Sequence, residues 1–377
     1  MATEQATVDF GLVRIPQLKT VESAVDRWLR FDPTNKRGLV IKANTYIYKS
    51  NGEIASFTED TKIDLTSQLG QAGKDYFLYI NDDDTFTAST NGALTTGKKI
   101  GRFHTLCVGA GTMTMIAPAP PSSGLTTSSF FLVKGYDSVK DPDLYAFYRK
   151  AVQAVTVQTQ YDVVTVQHPL SGFAAGDILP ESVFCTSFCP LTLYEDGMVY
   201  DVDTDSMIDI YLQSGAGHST RSAYNVTHRV SRSPWNHQED MRAVGKTLLK
   251  DNQFTSAALG SNERTNITGS SDKGTVGGHA DTNSRRMISA IGAEEMCGYL
   301  WQWLDELGPN GGSKWEENVD GHDSFGQNYG IPYVLRAGGA WYDSANCGSR
   351  SRAASSSRSY VGADSGGRGS SRVKRWA

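Results

Sequence analysis

The sequence has no long apolar run and no signal-like start. None of its hydrophobic stretches approaches the roughly 20 residues that a membrane-spanning helix needs. The first residues contain no basic segment followed by an apolar one, which is the pattern of a secretory signal. We therefore expect no signal peptide, no membrane insertion, and a soluble protein made in the cytoplasm.

Cysteine is scarce, with 5 residues among 377. An odd number at irregular spacings argues against a disulfide framework. Cys185 and Cys189 lie four positions apart, but no second pair and no nearby histidine completes a four-ligand zinc site. Small buried thiols explain this pair more simply, so we predict no bound metal.

Catalytic motifs are missing as well. The histidines are scattered, and the chain has no HExxH pair, no evident Ser/His/Asp arrangement, no P-loop and no strand-borne GxGxxG. The run Asp201–Asp205 copies the start of an EF-hand loop, but Ser206 replaces the turn glycine and Leu212 replaces the bidentate acid. The run Asp82–Asp84 is more typical of a turn at a strand end than of a calcium site. We predict no catalytic residue and no cofactor.

The composition favours a loop-rich globular protein that contains β-structure. Hydrophobic residues make up 39% and charged residues 20%, and the chain contains 38 Gly and 17 Tyr. Its length is sufficient for two or three domains. The formal net charge of −5 hides a basic C-terminal end. Its basic residues are Arg336, Arg350, Arg352, Arg358, Arg368, Arg372, Lys374 and Arg375, opposed by Asp343 and Asp364.

The N-terminal third divides into two parts. Residues 1–36 hold an apolar repeat that predicts a helix over Thr20–Arg30, and we interpret this segment as an attachment or oligomerisation element. A frayed terminus is the alternative. Residues 37–120 read as a small β-sandwich-like domain of short strands, with a hairpin turn at Asn51–Gly52.

The remainder divides into a connector and a larger domain. Residues 121–172 form a connector or insert, with a predicted helix over Asp143–Ala154 and a strand over Val163–Val166. Residues 173–377 read as one α+β domain. Ser233 followed by Pro234 is a typical helix start, because the hydroxyl caps the helix and proline suits its first position. A second helical stretch includes Thr255–Leu259.

The last forty-odd residues resemble a disordered tail rich in Ser, Arg and Gly, of the kind that binds RNA through its arginines. Trp341 argues against that interpretation. A large aromatic residue beside Gly338 and Gly339 suits a packed strand where backbones approach closely. About forty residues earlier, Trp301 and Trp303 have the spacing that places both rings on one face of a strand.

In combination, these features resemble the C-type lectin fold as used by variable proteins of diversity-generating retroelements. The resemblance covers roughly residues 37–120 and 173–377. It is carried by short matches in consistent order: 41–43, Asn51–Gly52, Phe57–Thr58, Asp75–Tyr76, 101–104, 209–212, 224–227, 245–248, 252–254, 300–303, 338–341, 348–350 and 366–369.

The resemblance implies a receptor-binding, tropism-determining protein at a phage tail-fibre tip, with a variable region at about residues 338–371. Adenine-directed mutagenesis would rewrite surface residues there while the fold stays constant. It also implies a C-type lectin-like domain, of the type shared with the formylglycine-generating enzyme, in residues 173–377. The expected partners are a host cell-surface protein or glycan and tail-fibre components, without nucleic acid.

The resemblance assigns roles position by position. The variable, ligand-facing candidates are Ala340, Tyr342, Ser344, Asn346, Ala353, Ser355, Ser356, Tyr360, Gly362, Asp364, Ser365 and Ser370. The scaffold candidates are Trp301, Trp303, Gly338, Gly339, Trp341, Gly348, Arg350, Gly366 and Arg368. Tyr supplies large contact area at low entropic cost, and Ser, Asn and Gly supply adaptable hydrogen bonding.

Two departures from the family pattern leave the oligomeric state open. Residues 1–36 look too short for the N-terminal β-prism of the family, through which the resembled protein forms a trimer, and residues 121–172 look unmatched. A homo-oligomer is therefore an open expectation.

Three rival functions predict other residues. A formylglycine-generating-type oxidase needs two reactive cysteines after the Gly-Gly-Ala-Trp segment, but Asp343 and Gly348 occupy those places and Cys347 is alone. A calcium-dependent lectin needs Glu-Pro-Asn or Gln-Pro-Asp and Trp-Asn-Asp motifs, which the sequence lacks. An RNA-binding tail predicts that residues 336–377 are dispensable for folding.

Overall fold

The computed structural model describes most of the chain. The described residues are 8–9, 12–13, 21–23, 26–109, 112–116, 126–129, 135–149, 154–157, 163–261, 263–267, 276–278, 287–310, 315–316, 328–329 and 332–375. Within them the chain is mostly β with few helices. No helix among these residues is long and apolar enough to cross a bilayer.

The strands up to residue 167 are β1 (Val8–Asp9), β2 (Leu12–Val13), β3 (Val21–Ser23), β4 (Leu29–Phe31), β5 (Gly38–Ile41), β6 (Thr45–Tyr48), β7 (Ile54–Phe57), β8 (Thr61–Asp64), β9 (Asp75–Ile80), β10 (Phe86–Ser89), β11 (Lys98–His104), β12 (Thr112–Ile116), β13 (Thr126–Ser129), β14 (Ala154–Val157) and β15 (Val163–Gln167). The helix α1 (Pro142–Arg149) precedes β14.

The later strands are β16 (Phe184–Cys185), β17 (Phe188–Pro190), β18 (Met198–Asp201), β19 (Ser206–Asp209), β20 (Gln213–Ser214), β21 (Arg221–Ser222), β22 (Thr247–Leu248), β23 (Trp301–Asn310), β24 (Trp315–Glu316), β25 (Asn328–Tyr329), β26 (Pro332–Gly338), β27 (Gly348–Ser357), β28 (Ser365–Gly366) and β29 (Gly369–Arg375). Two α-helices, α2 (Pro234–Ala243) and α3 (Asp251–Ala257), lie between β21 and β23, and 3-10 turns occupy Pro180–Ser182, Gly217–Ser219 and Ser344–Asn346.

Two sheets position the C-terminal segment. A nine-stranded sheet has the order β10-β9-β11-β16-β17-β29-β19-β18, and β22 also pairs with β29. It joins strands from the predicted small β domain to strands after residue 173, because β11 pairs with β16. A four-stranded sheet has the order β27-β26-β23-β28. The C-terminal strand β29 therefore lies inside one sheet, while β26 to β28 build the other.

Smaller sheets complete the described part. Strands β3-β6-β7 and β4-β5-β8 form two three-stranded sheets, and β1-β2, β12-β15, β13-β14, β20-β21 and β24-β25 form two-stranded ones. The predicted hairpin turn at Asn51–Gly52 is confirmed, since β6 and β7 pair antiparallel and Gly52 has a φ of 86°. The predicted domain boundaries stay predictions.

The predicted helix over Thr20–Arg30 is wrong, because β3 and β4 occupy part of this stretch. Leu29 and Phe31 are buried and Arg30 between them is not fully buried, which is the two-residue period of a strand. Pairing of β4 with β5 supplies backbone hydrogen bonds and burial that outweigh the helical repeat in the sequence. Three other predictions are confirmed with shifted ends: α1, β15 and α3 overlap the predicted elements, although Ala154, the predicted last residue of the first helix, begins β14.

A buried carboxylate ties the N-terminal strands to the body. Glu181 accepts hydrogen bonds from Arg27 at 3.1 Å, from Tyr136 at 2.5 Å and from Tyr148 at 2.7 Å. Because Tyr148 belongs to α1 and Arg27 precedes β4, the carboxylate of Glu181 holds both elements against the turn that carries it. A charge this deeply buried is tolerated because each of its oxygens has partners.

The helix α2 begins as the sequence predicts. The Ser233 hydroxyl accepts the Asn236 N–H and Pro234 occupies the first turn. This helix buries His237, whose Nδ1–H donates to Gln213 Oε1 at 2.5 Å. Burial lowers the pKa of His237 to about 3, so its ring is neutral in the folded protein.

The guanidinium of Arg368 joins several segments of the C-terminal half of the chain. It is completely buried and donates to the Gln302 Oε1 at 2.9 Å, to the Asp209 carbonyl at 2.8 Å and to the Ile210 carbonyl at 2.6 Å. It also donates to the Glu294 carbonyl. Three separate stretches of chain are thus joined to the segment that precedes β29.

We predict that Arg368→Met lowers the free energy of unfolding by about 3–5 kcal/mol, because it leaves several buried acceptors without a donor. The matched control is Arg375→Met at the end of β29, the strand that Arg368 precedes, where the exposed pair with Asp205 at 2.5 Å contributes about 1 kcal/mol or less. Urea unfolding followed by tryptophan fluorescence measures both losses. Equal losses in the two variants would contradict the central role of Arg368.

The neutral His237 predicts acid sensitivity. Its folded-state pKa of about 3 lies below the ordinary 6.5, so its contribution is complete above pH 6.5 and is lost as the pH falls toward 3. Within that window we expect a loss of up to about 1.4 kcal/mol per pH unit from this group. His237→Gln should flatten the dependence of unfolding free energy on pH, and His218→Gln, at an exposed ring, is the control substitution. A parallel dependence in His237→Gln and wild type would refute this assignment.

Candidate functional site

The C-terminal segment is folded into the two sheets, as predicted from Trp341 and its glycines. Gly338 and Gly339 have φ values of 94° and 83°. A Cβ at Gly338 would lie 2.6 Å from the Met296 carbonyl oxygen, and a Cβ at Gly339 would lie 2.7 Å from the Cys347 Sγ. Both positions therefore require glycine. Trp341 is half-buried and packs against a buried apolar cluster that includes Tyr299. Two loops, 339–347 and 358–364, leave the four-stranded sheet here.

The buried side chain of Arg336 packs against residues at the base of these loops. The Arg336 guanidinium carbon lies 5.4 Å from the Trp301 ring centre, 5.3 Å from that of Trp303 and 5.3 Å from that of Tyr360. Its side chain is 9% exposed, and Nη1 donates to the Ser365 Oγ at 3.0 Å. Cation–π contacts are stronger when the cation is desolvated, so this cluster fixes the position of Tyr360.

A carboxylate extends the support to the second loop. Asp364 Oδ2 accepts a hydrogen bond from the Tyr342 hydroxyl. Asp364 Oδ1 accepts a hydrogen bond from the Ser365 hydroxyl at 3.0 Å and lies 3.8 Å from Arg336 Nη1. Partial burial and the hydrogen bond to Asp364 raise the pKa of Tyr342 above its ordinary value. Tyr342 and Tyr360 are therefore connected through Asp364 and Arg336.

The solvent side of this cluster is a tyrosine and serine surface, which we call the display face. Five of the predicted ligand-facing residues expose their side chains: Tyr342, Ser344, Asn346, Ser355 and Tyr360. Tyr342 is 54% exposed and Tyr360 is 39% exposed. Ala353 and Asp364 are half-buried. These seven residues lie on β27 and the loops at its two ends.

The expectation that every ligand-facing candidate points outward is wrong at five positions. The buried ones are Ala340, Ser356, Gly362, Ser365 and Ser370. Ala340 bridges to Tyr299, and Ser370 lies within the nine-stranded sheet beside Thr247. Each of the five takes part in strand pairing or backbone bridging, which holds its backbone within the packed structure.

Most scaffold candidates lie in the interior. Trp301, Trp303, Gly338, Gly339, Gly348, Gly366 and Arg368 are buried, and Trp341 is half-buried. Trp303 and Trp301 face the same side of β23, as their spacing predicts, since both contact Arg336. The prediction that Arg350 belongs to the scaffold is wrong, because its side chain is exposed. The adjacent Ser349 supplies the anchor instead, donating its N–H to Glu263 Oε1 at 3.0 Å.

Two residues at this surface are not identified by the sequence pattern. The sequence marks Arg336 only as a basic residue, and its place beside the two tryptophans follows from its register opposite Trp303. Val361 is 58% exposed beside Tyr360 and adds apolar area to the display face. Its neighbours in the sequence carry no periodic signal that would identify it.

The rival chemistries find little support in the geometry. Burial raises the pKa of Cys347 to about 12, and its S–H donates to the Ala340 carbonyl at 3.3 Å, so the thiol is neutral and unsuited to nucleophilic attack. All five cysteines are free and buried. The described residues contain no group of three or more His, Cys, Asp or Glu side chains that could hold a metal ion.

The basic residues of the C-terminal segment are largely engaged within the protein. Arg352 donates to Asp251 and, at 2.6 Å, to Thr255, and it lies over the Phe254 ring. Arg336 and Arg368 are buried. An RNA-binding tail would keep its arginines in solvent for phosphate contacts.

Comparison with known proteins shows which proteins this chain is similar to. No protein-family model matches the chain. The sequence is 28% identical to the "Tail fiber receptor-binding protein" of Bordetella phage BPP-1, over an alignment of 377 residues that covers 95% of this chain and 84% of that protein. Coverage of this extent includes sequence outside residues 37–120 and 173–377, so the predicted limits of the resemblance were too narrow.

Solved structures agree. The Major Tropism Determinant U1 Variant superposes with a TM-score of 0.65 at 25% identity, covering 94% of this chain and 86% of that one. The I1 Variant gives a TM-score of 0.66 at 24% identity, with coverages of 94% and 86%. The predicted resemblance is confirmed: this chain is similar in sequence to a phage tail fiber receptor-binding protein and shares the fold of the Major Tropism Determinant variants.

Proposed function

We propose that this chain is a phage receptor-binding protein that determines host tropism from the tip of a tail fibre. Its role is binding rather than catalysis. The observation that carries the proposal is the display face, a set of exposed tyrosine, serine and asparagine side chains held on a rigid buried support. The similarity to a protein named as a tail fiber receptor-binding protein supports the same assignment.

The residues of the display face have the chemistry of a recognition surface. Exposed tyrosines bury large areas on binding and lose little conformational entropy, while serine and asparagine adapt their hydrogen bonds to the partner. Tyr342 and Tyr360 are already held through Asp364 and Arg336. Prior ordering lowers the entropic cost of binding and leaves more of the contact energy as affinity.

The proposed scaffold is a C-type lectin-like domain in residues 173–377, preceded by a small β domain in residues 37–120 and the connector 121–172. Residues 1–36 would serve attachment or oligomerisation. The partners in this proposal are a host cell-surface protein or glycan and tail-fibre components. Display of several copies on one particle would multiply modest single-site affinities by about 10²–10⁴.

We further propose that a retroelement diversifies this face. Side chains that point to solvent make few contacts with the core, so replacing them costs about 0.5 kcal/mol or less. Replacing buried groups such as Ser356 or Ser365 would create cavities or unpaired polar atoms. The fold thus separates positions that tolerate change from positions that do not.

Loss of either tyrosine should weaken attachment. We expect Tyr342→Ala and Tyr360→Ala each to weaken binding of the purified protein to host cells by about 5–30-fold, as for aromatic residues at the centre of an interface. Tyr46→Ala is the matched control, because Tyr46 is 40% exposed, close to the 39% of Tyr360, but lies on β6. Flow cytometry of cells incubated with labelled protein measures the effect. Equal loss in the Tyr46 variant, or none in the other two, would count against the display face.

Diversification predicts a pattern of substitutions. In phage propagated under a change of host, deep sequencing of the 3′ coding segment should find replacements at exposed positions such as Tyr342, Ser344 and Ser355. Buried positions such as Ser365 and Ser370 should stay constant. A nearby imperfect repeat of this coding segment beside a reverse transcriptase gene should accompany the pattern. Replacements spread evenly over exposed and buried codons would reject the proposal.

A further inference from the structure

A separate groove opens on the same domain, between α2, β23 and β26. Its volume is about 170 Å³. The floor is formed by Leu248, Leu304 and Val334, all of which are buried. Pockets for drug-sized ligands measure about 300–1,000 Å³, so this groove has room for one ring or one side chain.

A bulge in β23 brings two consecutive carboxylates into the groove. Trp303 pairs with Arg336 and Leu307 pairs with Val334, so three residues of β23 lie opposite one residue of β26. In a regular strand, Asp305 and Glu306 would point to opposite faces. The bulge lets both line the groove, and bulges are enriched where a protein re-aims side chains beside functional sites.

The walls combine an aromatic ring with donors and acceptors. Trp235 provides an indole on α2, and one turn later Gln238 donates its amide to Asp305 Oδ1 at 2.5 Å. Glu306 Oε1 accepts the Asp251 N–H at 3.1 Å, which fixes that carboxylate. Arg358, a cationic residue, also lines the groove. The polar groups of the groove are therefore of both signs.

This mixture selects a class of ligand. A cationic ligand would meet Arg358, and an anionic ligand would meet Asp305 and Glu306. A wholly apolar ligand would desolvate both carboxylates without replacing their hydrogen bonds. A neutral ring with hydroxyl groups donates to the carboxylates, accepts from the guanidinium, and places its C–H face on the indole and the aliphatic floor.

We propose that this groove binds a single sugar ring of a neutral saccharide. Trp235 is the platform for the ring, and Asp305, Glu306 and Arg358 hold its hydroxyl groups. The inference does not depend on the proposed receptor function, because it concerns residues outside the display face. The groove and the display face are nevertheless neighbours, since the turn 357–360, closed by the Tyr360 N–H to the Ser357 carbonyl at 3.1 Å, carries both Arg358 and Tyr360.

The test uses the full chain and a panel of methyl glycosides: glucose, galactose, mannose, rhamnose and N-acetylglucosamine. Saturation-transfer NMR at millimolar sugar concentration should detect binding of at least one. Trp235→Ala and the isosteric Asp305→Asn should each weaken that binding by about tenfold or more. Tyr46→Ala, remote from the groove, should leave the affinity unchanged. Circular dichroism of each variant reports whether it is folded, and Asp305→Asn tests the site should Trp235→Ala unfold.

Three results would overturn the proposal. The first is an absence of saturation transfer from every glycoside. The second is an affinity that survives in a folded Asp305→Asn or Trp235→Ala variant. The third is preferential binding of N-acetyl-arginine amide or N-acetyl-lysine amide to the groove, which would assign it to a basic side chain of a protein partner. Host-cell attachment is measured separately, so a negative sugar result leaves the proposed receptor function unaffected.

Discussion

The buried guanidinium of Arg368 is the constraint on which the packing of the C-terminal half of the chain depends. Its donors reach carbonyls at the end of β19 and in the stretch before β23, together with the Gln302 amide on β23. Burial lowers its pKa to about 10, so the group remains protonated at neutral pH and keeps all the N–H donors that these acceptors require. Because several chain segments share one cation, they hold a common position, and β29 cannot leave the sheet without exposing those acceptors.

A second cluster, around Arg336, lies between this core and the solvent. Arg336 lies among three aromatic rings and connects through Asp364 to Tyr342. Its neighbours are outward-facing residues on one side and buried tryptophans on the other. The two arginines therefore act at different depths: Arg368 joins segments of the interior, and Arg336 contacts Tyr360 and connects through Asp364 to Tyr342.

Part of this organisation is readable in the sequence. The spacing of Trp301 and Trp303 predicts a shared strand face, Ser233 with Pro234 predicts a helix start, and Gly338 with Gly339 predicts a close backbone approach, because each rests on local stereochemistry. Long-range partners are not readable in the same way. The strand β4 owes its conformation to β5, and the bulge that brings Asp305 and Glu306 together exists only in the pairing of β23 with β26.

The same limit explains why a folded segment looks like a disordered tail. Composition reports average hydrophobicity, and here buried serines replace apolar burial with hydrogen bonds: Ser349 binds Glu263, whereas Ser344 and Ser355 face solvent. One residue type thus serves as both anchor and display, and only the tertiary position of each serine tells the two apart. Small polar residues fit either environment, and the pairing of the strands decides which of the two each serine occupies.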